Sequence, residues 1–303
     1  MIPKFPKFKK LELSDLSNLE KLTKQYPPYN DFDSVDLLIF NPKNNTKISV
    51  LNNNLVVKRQ HYMSNDFLYT FLGDNKVKHT IETLLQKNKE EHLDKDLVHI
   101  PEIVITSTPE IRKNFVIKED PDNFDYILSV DELAELKGKK YYDKRNLVNR
   151  FKRLHPDHEI KQLDLAEKKI QKEILELFIF WEKQKGRKRS ETEIELKATK
   201  KLFNLLHLIK IYGLGVYVNK KLIGFTTYHV MQDKFVMMSF EKGDKNYTGI
   251  YSILNHETAK HIKTLGIKHL NYEQHFGIPG LKEAKNMWRP VFFLKKYIIS
   301  EKK

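Results

Sequence analysis

The sequence predicts an α+β fold: a mixed, mostly antiparallel sheet flanked by helices, built twice along the chain. Three observations carry that prediction. In the second half the hydrophobic spacing passes from helical to alternating and back, in the order α-α-β-β-β-α-β-α-β. The first half repeats that order more faintly, with no residue-level repeat. The chain also has the substance for two cores: 303 residues, 40% of them hydrophobic and 11% aromatic, where about 150 residues make a typical domain.

The elements follow in order. A helix is expected over about 14–25, ended by the Pro27-Pro28 pair. A hairpin follows, 47–51 and 55–60 around the turn Asn52-Asn53-Asn54. Residues 67–73 read as a strand, 77–93 as a helix, and "EIVITS" (102–107) and "KNFVIKE" (113–119) as strands. Later, Ile170, Ile174, Leu177, Phe178 and Trp181 recur at helical spacing. "KGRKRSETE" (185–193) breaks that helix, and Ser190 with Glu193 forms a capping box for a second one, running through Leu196, Leu202, Leu205 and Leu206. Strands 214–218 and 221–230 meet at the turn Asn219-Lys220, and 234–241 is a third strand. The glycine-punctuated loop 241–249 leads into a helix over 249–265, then come strand 267–273, a short helix near 279–287 and strand 291–299. This order is that of the GNAT (acyl-CoA N-acyltransferase) fold, so the expected architecture is tandem GNAT-like. The expected division is an N-terminal domain 1–123, a basic junction helix 124–155 and a C-terminal domain 156–303.

Composition bounds the chemistry. With 54 Lys and Arg against 40 Asp and Glu, the formal charge is +14, and the positive field favours anionic partners. There is no cysteine, which excludes disulfides, thiolate zinc sites and a cysteine nucleophile and fits a reducing compartment. No run approaches the roughly 18 apolar residues of a membrane span. The first residues, "MIPKFPKFKKLEL", are basic without the apolar core of a signal peptide. The expectation is a cytoplasmic protein. The charge is densest in "LKGKKYYDKRNLVNRFK" (136–152), seven Lys or Arg against the single acid Asp143.

Two blocks carry a family resemblance. "FDYILSVDELAELKGKKYYDKRNLVNRFK" (124–152) and "NYEQHFGIPGLKEAKNMWRP" (271–290) resemble the phosphatidylglycerol lysyltransferase C-terminal domain-like family, tandem GNAT proteins related to the Fem-type aminoacyl-tRNA-dependent transferases. The second block keeps Asn271, Glu273, Gln274, Gly277, Gly280, Leu281, Lys285 and Pro290 of the family pattern, but has His275 where an acid is expected. The resemblance implies an aminoacyl or acyl transfer, with substrates meeting in the groove between the tandem domains. The donor would be aminoacyl-tRNA or, second, acyl-CoA, and the acceptor an amine or hydroxyl. The full lysyltransferases carry a membrane-embedded flippase domain that these 303 residues do not contain, so a lipid acceptor is not implied with the fold.

Such a transfer needs a bound activated ester, a deprotonated nucleophile and a stabilised oxyanion. Glu273, at the end of a strand facing the gap of the fold, is the candidate general base. Gly243, Lys245 and Gly249 form a candidate anion loop at a helix N-terminus. The Q/R-x-x-G-x-G/A spacing of CoA-binding loops is absent there, which favours a charged tRNA as donor. On the basic helix, Leu147, Val148, Phe151 and Leu154 fit one buried face, while Arg145, Asn149 and Lys152 share another. Lys140, Tyr141, Lys144, Arg145, Asn146, Asn149 and Lys152, together with Asn271, Gln274, Lys285 and Arg289, are the candidate substrate-binding residues. Tyr141 or Tyr142 could stack on a terminal adenine. No metal site is expected: His256 and His261 stand five apart, rotated by about 140° on a helix. Two further readings share the same sequence, a non-catalytic nucleic-acid-binding protein and a protein bound to anionic lipid surfaces.

Overall fold

The computed structural model describes residues 1–41, 43–61, 66–93, 95–185, 189–232 and 234–302. The chain forms two compact units, each discontinuous in sequence. The first comprises Met1–Tyr126, Gln274–Lys282 and Phe293–Lys303, and the second Ile127–Glu273 and Glu283–Phe292. Of the stretch expected as a basic junction helix, residues 124–126 fall in the first unit and 127–155 in the second, and it forms a strand (Asp125–Ser129) and two helices (Val130–Glu135 and Tyr142–Leu154) instead of one helix.

In the first unit, β1 (Lys9–Lys10), β2 (Lys47–Leu51), β3 (Asn54–Gln60) and β4 (Phe67–Leu72) form one antiparallel sheet in that order. The β2–β3 turn places Asn52 and Asn53 at φ 53° and 64°, the left-handed pair a two-residue hairpin needs and asparagine tolerates. A second sheet has the order β5-β14-β6, from β5 (Leu97–Pro101), β6 (Phe115–Glu119) and β14 (Lys296–Glu301). The helices are α1 (Leu16–Thr23), α2 (Ser34–Ile39), α3 (Val77–Glu90) and α4 (Glu102–Ser107). Helix α3 buries Ile81, Leu84 and Leu85 in a core with Val56, Phe71, Leu97 and Ile299.

Residues 102–107, expected as a strand, form α4 instead. The strand is the preceding segment "LVHIP", and Pro101 ends it in an extended conformation (φ −60°, ψ 145°) at the helix N-cap. A short run such as Ile103-Val104-Ile105 suits a buried strand or one helical turn equally by pattern. Here the Thr106 and Ser107 hydroxyls donate back to the carbonyls of Glu102 and Val104 (3.1 and 3.2 Å), as helix geometry allows.

The second unit is built on a seven-stranded sheet of order β13-β7-β12-β11-β10-β9-β8. Its strands are β7 (Asp125–Ser129), β8 (Glu159–Gln162), β9 (Ile211–Val218), β10 (Lys221–Gln232), β11 (Phe235–Gly243), β12 (His269–Asn271) and β13 (Phe292–Leu294). Its helices are α5 (Val130–Glu135), α6 (Tyr142–Leu154), α7 (Lys168–Lys185), α8 (Arg189–Leu205), α9 (Ile250–Thr264) and α10 (Pro279–Asn286); β7, α10 and β13 cross the unit boundary. Of the break expected over 185–193, residues 186–188 lie outside the described residues, Lys185 ends α7 and residues 189–193 belong to α8; the side chain of Ser190, expected in the capping box, lies outside the described residues. The single strand expected over 291–299 is two, β13 and β14, in different sheets. Leu154, expected on the buried face of α6, is 52% exposed, while Val148 and Phe151 are buried.

Each unit shows the same arrangement. An antiparallel run leads to a strand (β4 or β11), then a helix (α3 or α9), then a strand beside the first (β5 or β12). A strand from the far half of the sequence then stands between that strand and the next: β14 between β5 and β6, β7 between β12 and β13. This is the GNAT order, twice, each copy completed by one intercalated strand.

Candidate active site

The sheet of the second unit opens where β11 and β12 part. They pair in parallel at Phe235↔His269, Val236↔Leu270 and Met237↔Asn271, after which β11 continues to Gly243 beside β10. Met238 faces Tyr228 and Phe240 faces Thr227, so Ser239 is the extra residue of a bulge, which bends a strand and re-aims the residues beyond it. Parted strands leave ladder N–H groups on the inner edge, and such groups can stabilise an oxyanion.

Side chains from β11, α6, α9, α10 and the residue after β12 converge on this opening. The Tyr272 hydroxyl donates to Glu241 Oε2 at 2.5 Å, and Asn255 Nδ2 donates to Glu241 Oε1 at 2.5 Å. Asn255 Nδ2 also reaches the Tyr251 carbonyl at 3.0 Å, and Trp181 Nε1 donates to the Tyr251 hydroxyl at 2.8 Å. Lys285 donates to the Tyr272 carbonyl, with its ammonium 4.5 Å from the Tyr272 ring centre. Lys144 holds its ammonium 4.4 Å from the ring centre of Trp288. Lys242 pairs with Glu195 at 2.7 Å and lies against Trp181.

Glu241 is only partly shielded by area, yet the protein packed round its carboxyl pushes its pKa up to about 7, against the pull of Tyr272 and of Lys242, Lys285 and Lys144. Burial, then the adjacent Glu241, hold the Tyr272 phenol well above its usual range, so it stays a donor. Burial lowers the Lys144 ammonium. A carboxyl poised near neutrality at a solvent-reaching notch has the properties of a general base.

The residues singled out in the sequence divide between the two units. Asn271, Lys144 and Lys285 are buried around the notch. Glu273 follows directly, at φ 55° with its N–H bonded to Asn271 Oδ1 at 2.8 Å. Tyr141 is 1% exposed and donates to Glu132 at 3.0 Å, so it presents no face for stacking, whereas Tyr142 is 57% exposed. Arg145 donates to the Leu136 carbonyl at 2.5 Å, closing the end of α5, and Lys152 pairs with Glu257 at 3.0 Å. Lys140 pairs with Glu132 at 2.7 Å, while Asn146, Asn149 and Arg289 are exposed. Lys140, Arg145 and Lys152 of the expected substrate-binding set are therefore engaged in contacts within their own unit.

In the anion loop, Gly243 serves packing: a Cβ there would come 2.8 Å from Ile250 Cγ1. Lys245 is exposed and Gly249 starts α9 at φ 89°. The loop also holds the buried Asp244, which accepts from Asn246 N at 3.0 Å and Gln184 Nε2 at 2.8 Å.

Gln274 and His275 belong to the first unit. Gln274 joins a buried ion network in which Lys296 contacts Asp125 at 2.6 Å, Asn30 at 2.7 Å and also Asp31, all three charges being 0% exposed. Arg59 and His99 complete it on Asp31. Burial pushes the Asp31 carboxyl up, but Lys296, Arg59 and His99 outweigh it and hold it well below its usual range. His275 Nδ1 accepts from Gly277 N at 3.1 Å, with its ring beside Tyr126.

Sequence reasoning passed over Glu241, Tyr272 and Asn255. Glu241 was read as the boundary between a strand and a loop, where a carboxylate is ordinarily solvated. The available signal was its place at the end of the strand that the fold leaves open. Among the described residues, no group of three or more His, Asp or Glu gathers in a way that could hold a metal ion, and no helix is long and apolar enough to cross a membrane.

The fold and this notch define a GNAT-like transferase. The chain belongs to the family described as "Phosphatidylglycerol lysyltransferase, C-terminal", whose model matches residues 23–300. It is similar to a conserved protein of unknown function from Bacteroides thetaiotaomicron, at 27% identity over 100% of both chains and a TM-score of 0.84. It also resembles the C-terminal domain of an assigned lysylphosphatidylglycerol synthetase from Agrobacterium fabrum (11% identity, 94% of this chain and 90% of that one, TM-score 0.64). L-PGS from Bacillus licheniformis matches at 13% identity, over 100% of this chain and 94% of that one, with a TM-score of 0.62. The last two likenesses show the fold alone. No curated protein matches the chain.

Proposed function

We propose that the second unit transfers an aminoacyl group from an aminoacyl-tRNA to an amine or hydroxyl acceptor, with Glu241 taking the acceptor's proton. The carrying observation is the Glu241 carboxyl, pushed to about 7 at the opening of the sheet. The acceptor attacks the ester carbonyl as its proton passes to Glu241, and the protonated Glu241 then gives that proton to the departing tRNA ribose oxygen, which regenerates the base. Tyr272 and Asn255 each occupy one lone pair of a Glu241 oxygen, which leaves lone pairs for the reaction. Their bonds orient the base without neutralising it. Backbone N–H groups of β11 beyond Met237 face the developing oxyanion in this reading. A tRNA donor, and not acyl-CoA, is favoured by the family and by the anion loop. That loop lacks the CoA-binding spacing, and its buried Asp244 adds a carboxylate to the candidate anion loop.

The test offers labelled aminoacyl-tRNA and acetyl-CoA in turn, with small amines and alcohols as acceptors, to wild type, Glu241→Gln and Glu273→Gln. Glu241→Gln should lower turnover by about 10²–10⁴-fold while leaving donor binding in place. In wild type, the rate should climb as pH rises through about 7, as the carboxyl deprotonates. Full turnover by Glu241→Gln would remove it as the base, and loss in Glu273→Gln alone would pass the role to Glu273. Turnover with acetyl-CoA only would overturn the tRNA donor.

A further inference from the structure

Lys144 is the buried cation of α6. Of the other cations there, Arg150 and Arg153 are exposed to solvent, Lys152 has Glu257, and Arg145 has the Leu136 and Gly138 carbonyls. Lys144 turns inward and is only 8% exposed. Its ammonium meets the Trp288 ring face at 4.4 Å, and among the described residues no carboxylate or carbonyl lies within hydrogen-bond distance of it. Its stem is buried while the ammonium keeps contact with solvent at the notch, and an aromatic face satisfies only one side of it. The charges around it are Glu241 and Asp143 on one hand and Arg289 on the other. Lys285 acts on the same carboxyl of Glu241. Two buried lysines thus flank one carboxyl that is itself half neutral at pH 7 and already accepts two hydrogen bonds, so the notch retains a net demand for negative charge.

We infer that Lys144, with Lys285 beside it, seats an oxyanion carried by the acceptor, a carboxylate or phosphate on the same small molecule whose amine or hydroxyl Glu241 deprotonates. That the anion belongs to an acceptor rests on the function proposed above; the seat itself rests on the geometry of Lys144. The arrangement selects molecules that carry nucleophile and anion a few bonds apart, such as amino or hydroxy acids and phosphorylated alcohols. It disfavours simple amines, which would bring a second positive charge to two lysines. Burial also lowers the Lys144 ammonium, and an anion beside it would act in the opposite direction.

Calorimetric titration with sodium acetate and with inorganic phosphate, at constant ionic strength, reads the seat directly. Lys144→Met should weaken binding of the preferred anion by about tenfold or more, the worth of one charge-assisted hydrogen bond. The exposed Lys139→Met should bind as wild type, and Glu241→Gln should bind more tightly. Preference for acetate assigns a carboxylate acceptor, and preference for phosphate a phosphorylated one. Equal affinity of Lys144→Met and wild type overturns the seat, as does wild type that binds neither anion.

If Lys144→Met does not fold, wild type supplies the measurement. Acylation of Lys144 by an amine-reactive ester, mapped by mass spectrometry, should slow in acetate or phosphate while Lys139 labels unchanged, and equal labelling overturns the seat. The two proposals fail separately. Lost anion binding in Lys144→Met beside normal transfer by Glu241→Gln removes only the base, and the reverse pattern removes only the seat.

Discussion

At the scale of single residues, Glu241 has a cost that can be measured without any substrate. Its carboxyl titrates near 7 in the fold against an ordinary value of 4.5, so between those values the folded state binds more protons than the unfolded one. By linkage, stability then falls as pH rises through that window. Glu241→Gln removes the ionisable group and keeps the shape. It should melt higher than wild type at pH 8, and the difference should vanish below about pH 4.5. A wild type and variant that melt alike at pH 8 would show that the carboxyl is not desolvated. Lys144, Asn271 and Lys285 could be named from sequence because a family pattern marks them. Glu241 could not, because what raises it is the protein packed round its carboxyl, and strand periodicity carries no information about what lies over a strand's end.

At the scale of elements, α6 and α9 are set against each other at Gly249. A Cβ there would meet the Leu147 carbonyl at 2.7 Å, and the residue sits at φ 89°, where an L side chain is strained. Gly249→Ala should therefore lose at least about 1 kcal/mol of stability, read as a lowered denaturation midpoint. It should weaken any function of Lys144, which α6 carries. An unchanged midpoint would mean that the two helices can shift apart freely.

Most elements were legible because their patterns are long. Helix α3 shows a buried 3.6-residue stripe, and the turns at Asn52-Asn53 and Asn219-Lys220 are marked by asparagines, which left-handed backbone tolerates. The failures were short. Three apolar residues at 103–105 do not distinguish strand from helical turn. One apolar run at 291–299 concealed two strands, since nothing in its spacing marks where a chain changes sheets.

At the scale of the molecule, long-range pairing decides the architecture. Lys296, on the last strand, is held among Asp31, Asp125, Asn30 and Gln274, residues drawn from three separate stretches of the first unit. Removing one partner of such a buried network leaves the others uncompensated. Lys296→Met should cost roughly 3–5 kcal/mol, measured by denaturation of the whole chain, with hydrogen exchange accelerating first in β5, β6 and β14. Exchange that speeds up only in the second unit's sheet would contradict it. No local pattern announces this network: Asp31, Asp125 and Lys296 each look like ordinary surface charges in the sequence.

The place of β14 has a consequence for how this chain is made. The sheet containing β5 and β6 stays open until residues 296–301 arrive, because β14 pairs with both of its neighbours. A ribosome adding about 5–20 residues per second needs roughly 10–35 s to travel from β6 to that strand. During the interval a nascent first half exposes two unpaired strand edges to solvent or to other nascent chains. The half translated first is thus the half completed last, and its quality control falls to whatever shields unfinished polypeptide near the exit tunnel.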